Sequence, residues 1–295
     1  MSGEPTTVPT TETVVAPSLE PEGGGKAPLT KRVGPPAAMF VVAILLWEFV
    51  VRQGLISEYL LASPTDIVAS FIGMVRSGLL WDNAWITIGE TVAGFLLGSG
   101  LAFVFAVICG LWPLARKMLY PYMVAFQVTP RVAIAPMLIA ALGFGYTPKI
   151  ALAAMVCFFV VFLNTLTGFT SVDEESLELF RSLGASRWKI FRHLLLPGAM
   201  VLTFAGLKTG MTLALIGAIV AEFESAQDGL GVLIQQFSFT LNIDAAFAVL
   251  LSLTFSGMFL YGIIEYLDRV VVFWARDETT SKRTNRRAAR ARRRT

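Results

Sequence analysis

Charge is scarce in this chain: Asp, Glu, Lys and Arg together make up 15% of 295 residues, against 55% hydrophobic residues. So little polar surface excludes a water-soluble domain of this size. Histidine is nearly absent, with His193 alone, so a histidine-based metal site is not expected. Its place beside Arg192 in a polar stretch suits a surface or headgroup-facing position. The two cysteines, Cys109 and Cys157, lie in apolar runs, which excludes a disulfide framework and a zinc site. No G-x-x-x-x-G-K-[ST] phosphate loop occurs, so the chain does not hydrolyse nucleotide by that route. The scattered carboxylates form no catalytic set, so no catalytic residue and no cofactor is expected.

What is present is long apolar runs. A helix crossing a bilayer needs about 20 mostly apolar residues. Such runs are read at 37–51, 85–112, 119–144, 150–169, 199–223 and 245–274, which predicts an all-α, polytopic membrane protein with six spans. Between the first two runs, Ile67-Val68 and Phe71-Ile72 predict a short amphipathic helix on the membrane surface. Gly94 with Gly98, and Gly206 with Gly210, put small residues four apart where helices pack closely.

Residues 1–33 are rich in Pro, Thr, Glu and Gly and are expected to form a disordered tail. The permeating domain is expected over 34–276, with a basic tail over 277–295. Residues 282–295 hold eight Lys/Arg and no acid. A tail of this kind binds nucleic acid or anchors beside anionic lipid. Following a hydrophobic helix, it is read as the lipid anchor, with no nucleic-acid partner. Lys31 and Arg32, Arg116 and Lys117, then Arg181, Arg187, Lys189 and Arg192, and the tail all fall on one side when six spans are threaded. Basic loops stay inside, which predicts a multi-pass protein with both termini in the cytoplasm. Arg52 and Lys149 fall singly on the outer side.

Ionisable and amide side chains inside spans are costly and ask for a reason. Glu90 can snorkel, cap or meet a solute. Gln127 and Arg131 flank Pro130, which frees backbone carbonyls for a kink or for solute contact. Asn164 can bond a neighbouring helix or line the path. Lys208 can snorkel, and Glu222 and Glu224 read as an acidic outer loop or a docking patch.

Residues 171–197 carry the clearest mechanical signal: SVDEESLELFRSLGASRWKIFRHLLLP. Ser171 and Glu174 read as a capping box that opens a helix. Gly184 would end it, a second helix would open near Ser186, and Pro197 would start the next span. Trp188, Phe191 and Leu195 then share a face. Within this stretch Glu178 is followed six positions later by Gly184, then nine residues to Leu194, one more to Leu196, and Pro197. That spacing resembles the EAA loop of ABC-importer permeases, departing at Leu179 and Phe180, where the motif has alanines, and at Leu194, where it has isoleucine. The stretches QVTPRVAIAPMLIAALGFG and RSLGASRWKIF resemble the nitrate, sulfonate and taurine importer group, which includes carriers of thiamine-precursor pyrimidines and riboflavin-like compounds.

The resemblance implies a type I importer fold in which Glu178, Leu179, Phe180, Ser182, Leu183, Gly184 and Ala185 form a coupling helix for a separate ATPase, with Pro197 opening the next span. It implies ABC ATPase subunits, an extracytoplasmic solute-binding protein, and a homodimer or a pairing with a second permease. Glu90, Gln127, Arg131 and Asn164 are the candidate substrate-path residues. The rival reading is a secondary transporter or channel driven by an ion gradient, which would show inverted repeats or paired broken helices.

Overall fold

The computed structural model describes residues 29–57, 60–225 and 227–274, and these form helices and connections with no strand. In chain order the helices are α1 (Leu29–Arg52), α2 (Pro64–Arg76), α3 (Leu79–Leu111), α4 (Pro113–Val128), α5 (Ala135–Leu142), α6 (Tyr146–Thr170), α7 (Glu174–Ser182), α8 (Arg187–Ile190), α9 (Leu196–Ser225), α10 (Leu230–Phe239) and α11 (Ile243–Val271). Residues 1–46 make one unit and 47–295 a second. In the first unit, Met39, Phe40, Val42 and Leu45 on α1 are exposed, as lipid-facing residues are. The basic tail and most of the expected disordered tail lie outside the described residues.

Among the described residues four helices are long and apolar enough to cross a membrane: α3, α6, a continuous helix over Arg187–Glu224 that contains α9, and α11. They coincide with the expected second, fourth, fifth and sixth spans. The expected first span lies within α1, whose 24 residues reach about 36 Å at 1.5 Å each.

The expected third span is not one helix. It divides into α4, a 3-10 turn at Arg131–Ile134, and α5. Pro130 drives the break: it has no N–H to donate, and it pushes Thr129 into extended backbone at ψ 130°. Gly143, at φ +80°, ends α5. The two pieces still carry the chain from the end of the bundle where α3 stops to the end where α6 begins.

α3, α6 and α9 form the packed centre, with α6 between the other two. At Gly94 an added Cβ would lie 2.5 Å from Ala153 Cβ, and at Gly98 it would collide with Ala154 O and Cys157 Sγ. This close approach of α3 to α6 explains the glycine spacing and the burial of Cys157. Gly98→Val is therefore expected to force the two helices apart at a cost of about 1–3 kcal/mol. The check is the thermal midpoint of the purified protein, which should fall, while Gly100→Val, with open space around its position, should leave it unchanged.

One expectation at the start of the second unit changes. α2 is not a free surface helix: Ile67 and Met74 are buried in the core with Leu80, Leu215 and Leu230, and Ser70 donates to Asp244 of α11 at 2.8 Å. Val68 and Ile72 face outward. Glu48 is occupied, accepting from Arg52, from Thr65 N at 3.1 Å and from Thr65 Oγ1 at 2.8 Å, so it fixes the turn into α2.

Candidate functional site

The insert between α6 and α9 is two short helices around a tight turn. α7 is capped by Asp173, whose carboxylate accepts from Ser176 N at 3.2 Å. The expected cap, Ser171, instead donates to Gly168 O of the preceding helix at 3.0 Å. Both residues stand three before an N–H that needs a partner, and Ser171 is still held by the end of α6. Glu174 and Glu175 sit in the first turn, where the helix dipole favours acid.

Gly184 ends α7 in the left-handed region at φ +71°. Its N–H donates to Arg181 O at 2.9 Å, and that of Ala185 donates to Phe180 O at 3.0 Å. This pair of bonds is the Schellman closure that a C-terminal glycine permits. Ser186 then caps α8 by accepting from Lys189 N at 3.4 Å.

α8 does not stop where α9 begins. Pro197 has no N–H, so the helix widens over Phe191–Leu195 into one π turn, with Leu196 N donating to Phe191 O, and continues without interruption into α9. Phe191 is buried, its ring 5.4 Å from both Phe169 of α6 and Trp188. Leu195 packs partly buried in the same cluster, so the expected shared face exists, with Trp188 at its exposed edge. The second half of the insert and α9 are therefore one continuous helix.

α7 presents two faces. Glu174, Leu177 and Arg181 line a cavity of about 790 Å³ shared with the ends of α3 and α6. Leu179 and Leu183, one turn apart on another side, are 58% and 75% exposed, and Glu178, Ser182 and Gly184 are exposed with them. Phe180 and Ala185 are partly covered.

The other expected residues are scattered. Gln127 lines a cavity of about 290 Å³ with Thr129, Leu152, Val156, Ile216 and Val220, toward the end of the bundle opposite the insert. Arg131 opens the 3-10 turn, and its side chain lies outside the described residues. Asn164 bonds its own helix at Val160 O, 2.8 Å, and packs where Gly206 of α9 approaches. Lys208 is held by Asp268 at 2.8 Å and Glu265 at 3.5 Å, tying α9 to α11 rather than snorkelling.

Glu90 belongs to a buried cluster that residue-by-residue reading missed. Lys149 donates to Glu90 at 2.6 Å with both side chains enclosed. Glu222, expected in an outer loop, is 1% exposed. It accepts from Thr87 Oγ1 at 2.6 Å and from Gly231 N at 2.6 Å. Thr87 in turn accepts from Leu230 N, and Asn83 accepts from Gly229 N, so the turn into α10 is bonded to α3 and α9. α10, ten residues long and too short to span, lies between the expected fifth and sixth spans. The available signal was that three charges in apolar helices each require a partner.

The chain matches, over residues 98–272, the family described as "Binding-protein-dependent transport system inner membrane component". It is 30% identical to the riboflavin transport system permease protein RibX of Chloroflexus aurantiacus over 242 residues, covering 82% of this chain and 90% of that one. It is 29% identical to the putative aliphatic sulfonates transport permease protein SsuC of Bacillus subtilis over 266 residues, covering 88% and 94%. The formylaminopyrimidine transport permease protein ThiX of Halalkalibacterium halodurans is 27% identical over 243 residues, covering 82% and 96%. Among solved structures, a chain of the inward-facing MetNI methionine ABC transporter superposes with a TM-score of 0.59 at 18% identity, covering 66% of this chain and 97% of that one.

Proposed function

Because the chain belongs to the family of binding-protein-dependent transport system inner membrane components, we propose that α7 and its glycine turn are the surface through which a separate ATPase drives solute across. The chain is a permease of an ABC importer, a multi-pass protein of the inner membrane and not itself an enzyme. Its partners are those of an ABC transporter.

The observation that carries the reading is the pairing of an exposed apolar face, Leu179 and Leu183, with an unbroken helix from Arg187 through α9. Exposed leucines on a helix that also turns a polar face to its own protein favour a protein partner over solvent. A stiff helix transmits displacement that a loop would absorb. Glu178, Ser182, Gly184 and Ala185 complete the docking surface, Phe180 braces it, and Pro197 sets the π turn behind it.

The solute path runs beside α4, α6 and α9, where Gln127 and Thr129 supply polar contacts in an otherwise apolar cavity. Two copies of the chain, or this chain and a second permease, enclose the path about a two-fold axis. The relatives named for riboflavin, sulfonates and formylaminopyrimidine support a small organic solute, sulfonate-like or heterocyclic, delivered by an extracytoplasmic binding protein. Arg116, Arg181 and Arg187 gather around one cavity at the insert end, which supports a cytoplasmic insert and cytoplasmic termini.

The test is reconstitution of the full chain in proteoliposomes with its ATPase and binding protein. Uptake should require ATP, and the Leu179→Asp/Leu183→Asp variant should lose ATPase capture while keeping its thermal midpoint. Uptake on an ion gradient alone would establish the secondary-transporter reading instead.

A further inference from the structure

The cavity behind α7 carries charge with no internal use. Arg116 of α4, Arg181 of α7 and Arg187 of α8 line it, and none of the three is paired with a carboxylate among the described residues. Glu174 is the one acid among its described lining residues. At about 790 Å³ it falls within the roughly 300–1,000 Å³ of small-molecule sites.

A second cavity of about 400 Å³ adjoins it, sharing Arg116 and Thr170. This one follows the groove between α4 and α6 and is walled by Lys117, Tyr120, Leu163 and Leu166. The two are neighbours through Arg116 and Thr170, a cationic mouth at the insert end beside a largely apolar groove between two helices, so that one ligand could reach from the first into the second.

Each half selects a different part of one ligand. Planar guanidiniums without a carboxylate match the oxygens of a phosphate, often two at a time. Basic recesses between membrane helices suit anionic headgroups. A soluble anion would satisfy the mouth but leave the groove unoccupied, whereas an acyl chain would fill the groove. We propose that this site binds one anionic phospholipid, its phosphate held by Arg116, Arg181 and Arg187 and an acyl chain lying between α4 and α6. The lipid would then brace the inward face of α7, opposite Leu179 and Leu183. This assignment stands whether or not those leucines meet an ATPase.

The experiment is native mass spectrometry of the full chain in detergent, titrated with phosphatidylglycerol, phosphatidylcholine or inorganic phosphate. Wild type should retain one phosphatidylglycerol in preference to phosphatidylcholine. The Arg116→Ala/Arg181→Ala/Arg187→Ala variant should bind it roughly 100-fold more weakly, about five-fold for each cation removed. Thr167→Trp, which fills the groove from an exposed position, should weaken phosphatidylglycerol about ten-fold and leave the binding of inorganic phosphate unchanged. The basic tail is present in every variant, so its contribution cancels in the comparison. Equal retention of the two lipids, undiminished phosphatidylglycerol in the triple variant, or displacement of the lipid by millimolar phosphate would overturn the proposal. If the triple variant does not fold, Thr167→Trp decides alone.

Discussion

Gly184→Pro is expected to abolish ATP-driven uptake while leaving a folded membrane bundle. The reason is backbone geometry, since no atom beyond its two chain neighbours lies within 4 Å of where a Cβ would stand. Gly184 holds φ +71° and donates its N–H to Arg181. Proline fixes φ near −65° and has no N–H, so it can neither make the turn nor keep the bond. An L-residue forced into this region costs about 1–2 kcal/mol, and the lost hydrogen bond adds about 0.5–1.5 kcal/mol.

α7 has nine residues, none of them buried, so neither its length nor its packing holds it without the closure. The cost therefore falls on the lever and spares the packed centre of α3, α6 and α9. Gly184→Asn separates this account from a general intolerance of substitution, because asparagine enters the left-handed region more readily than other side chains. Uptake in proteoliposomes should fall at least about ten-fold for proline and remain near wild type for asparagine, a tenfold loss corresponding to about 1.4 kcal/mol. Equal loss in both variants would mean that the side chain at position 184 matters, and that the turn is not what the coupling needs.

Much of this lever was legible in the sequence because its determinants are local. Gly184, Ser186 and Pro197 act on the backbone within a few residues, and each acts as its chemistry dictates. The four apolar helices were legible for the same reason, since hydropathy is a property of the segment itself. Pro130 announced the weak point of the third span, although the 3-10 turn and the separate α5 depend on how the chain repacks after the break. The choice of Asp173 over Ser171 as cap depends on where α6 ends, which spacing does not determine. The resemblance of the insert to the EAA loop carried the family reading, and the match over 98–272 agrees with it.

The buried cluster was illegible for the opposite reason. Glu90 and Lys149 are 59 positions apart, and Thr87 and Glu222 are 135 apart. Which charges meet depends on the register of α3 against α6 and α9, and that register is set by close contacts such as those at Gly94 and Gly98. Glu222 read as loop because it stands six residues before Asp228, in a stretch whose polarity resembles a solvated turn. Only the folding back of Gly229–Gly231 onto its carboxylate encloses it.

The second large effect follows from that enclosure. Among the described residues Lys149 is the one cation in direct contact with Glu90, and Glu222 also feels its charge. Lys149→Met would leave two neighbouring carboxylates buried without it, and removing one partner of a buried pair typically costs about 3–5 kcal/mol. Glu90→Leu should be milder, because Glu222 remains to face the ammonium. In the double variant Glu90→Leu/Lys149→Met one carboxylate and the cation leave together, while Glu222 keeps its bonds from Thr87 and Gly231. The double variant should therefore melt above Lys149→Met alone, with a coupling of about 0.5–3 kcal/mol between the two positions. Thermal midpoints of the four proteins in one detergent give the cycle. Simple addition of the two single losses would show that the contact between Lys149 and Glu90 contributes nothing, and that each residue is held by its surroundings separately.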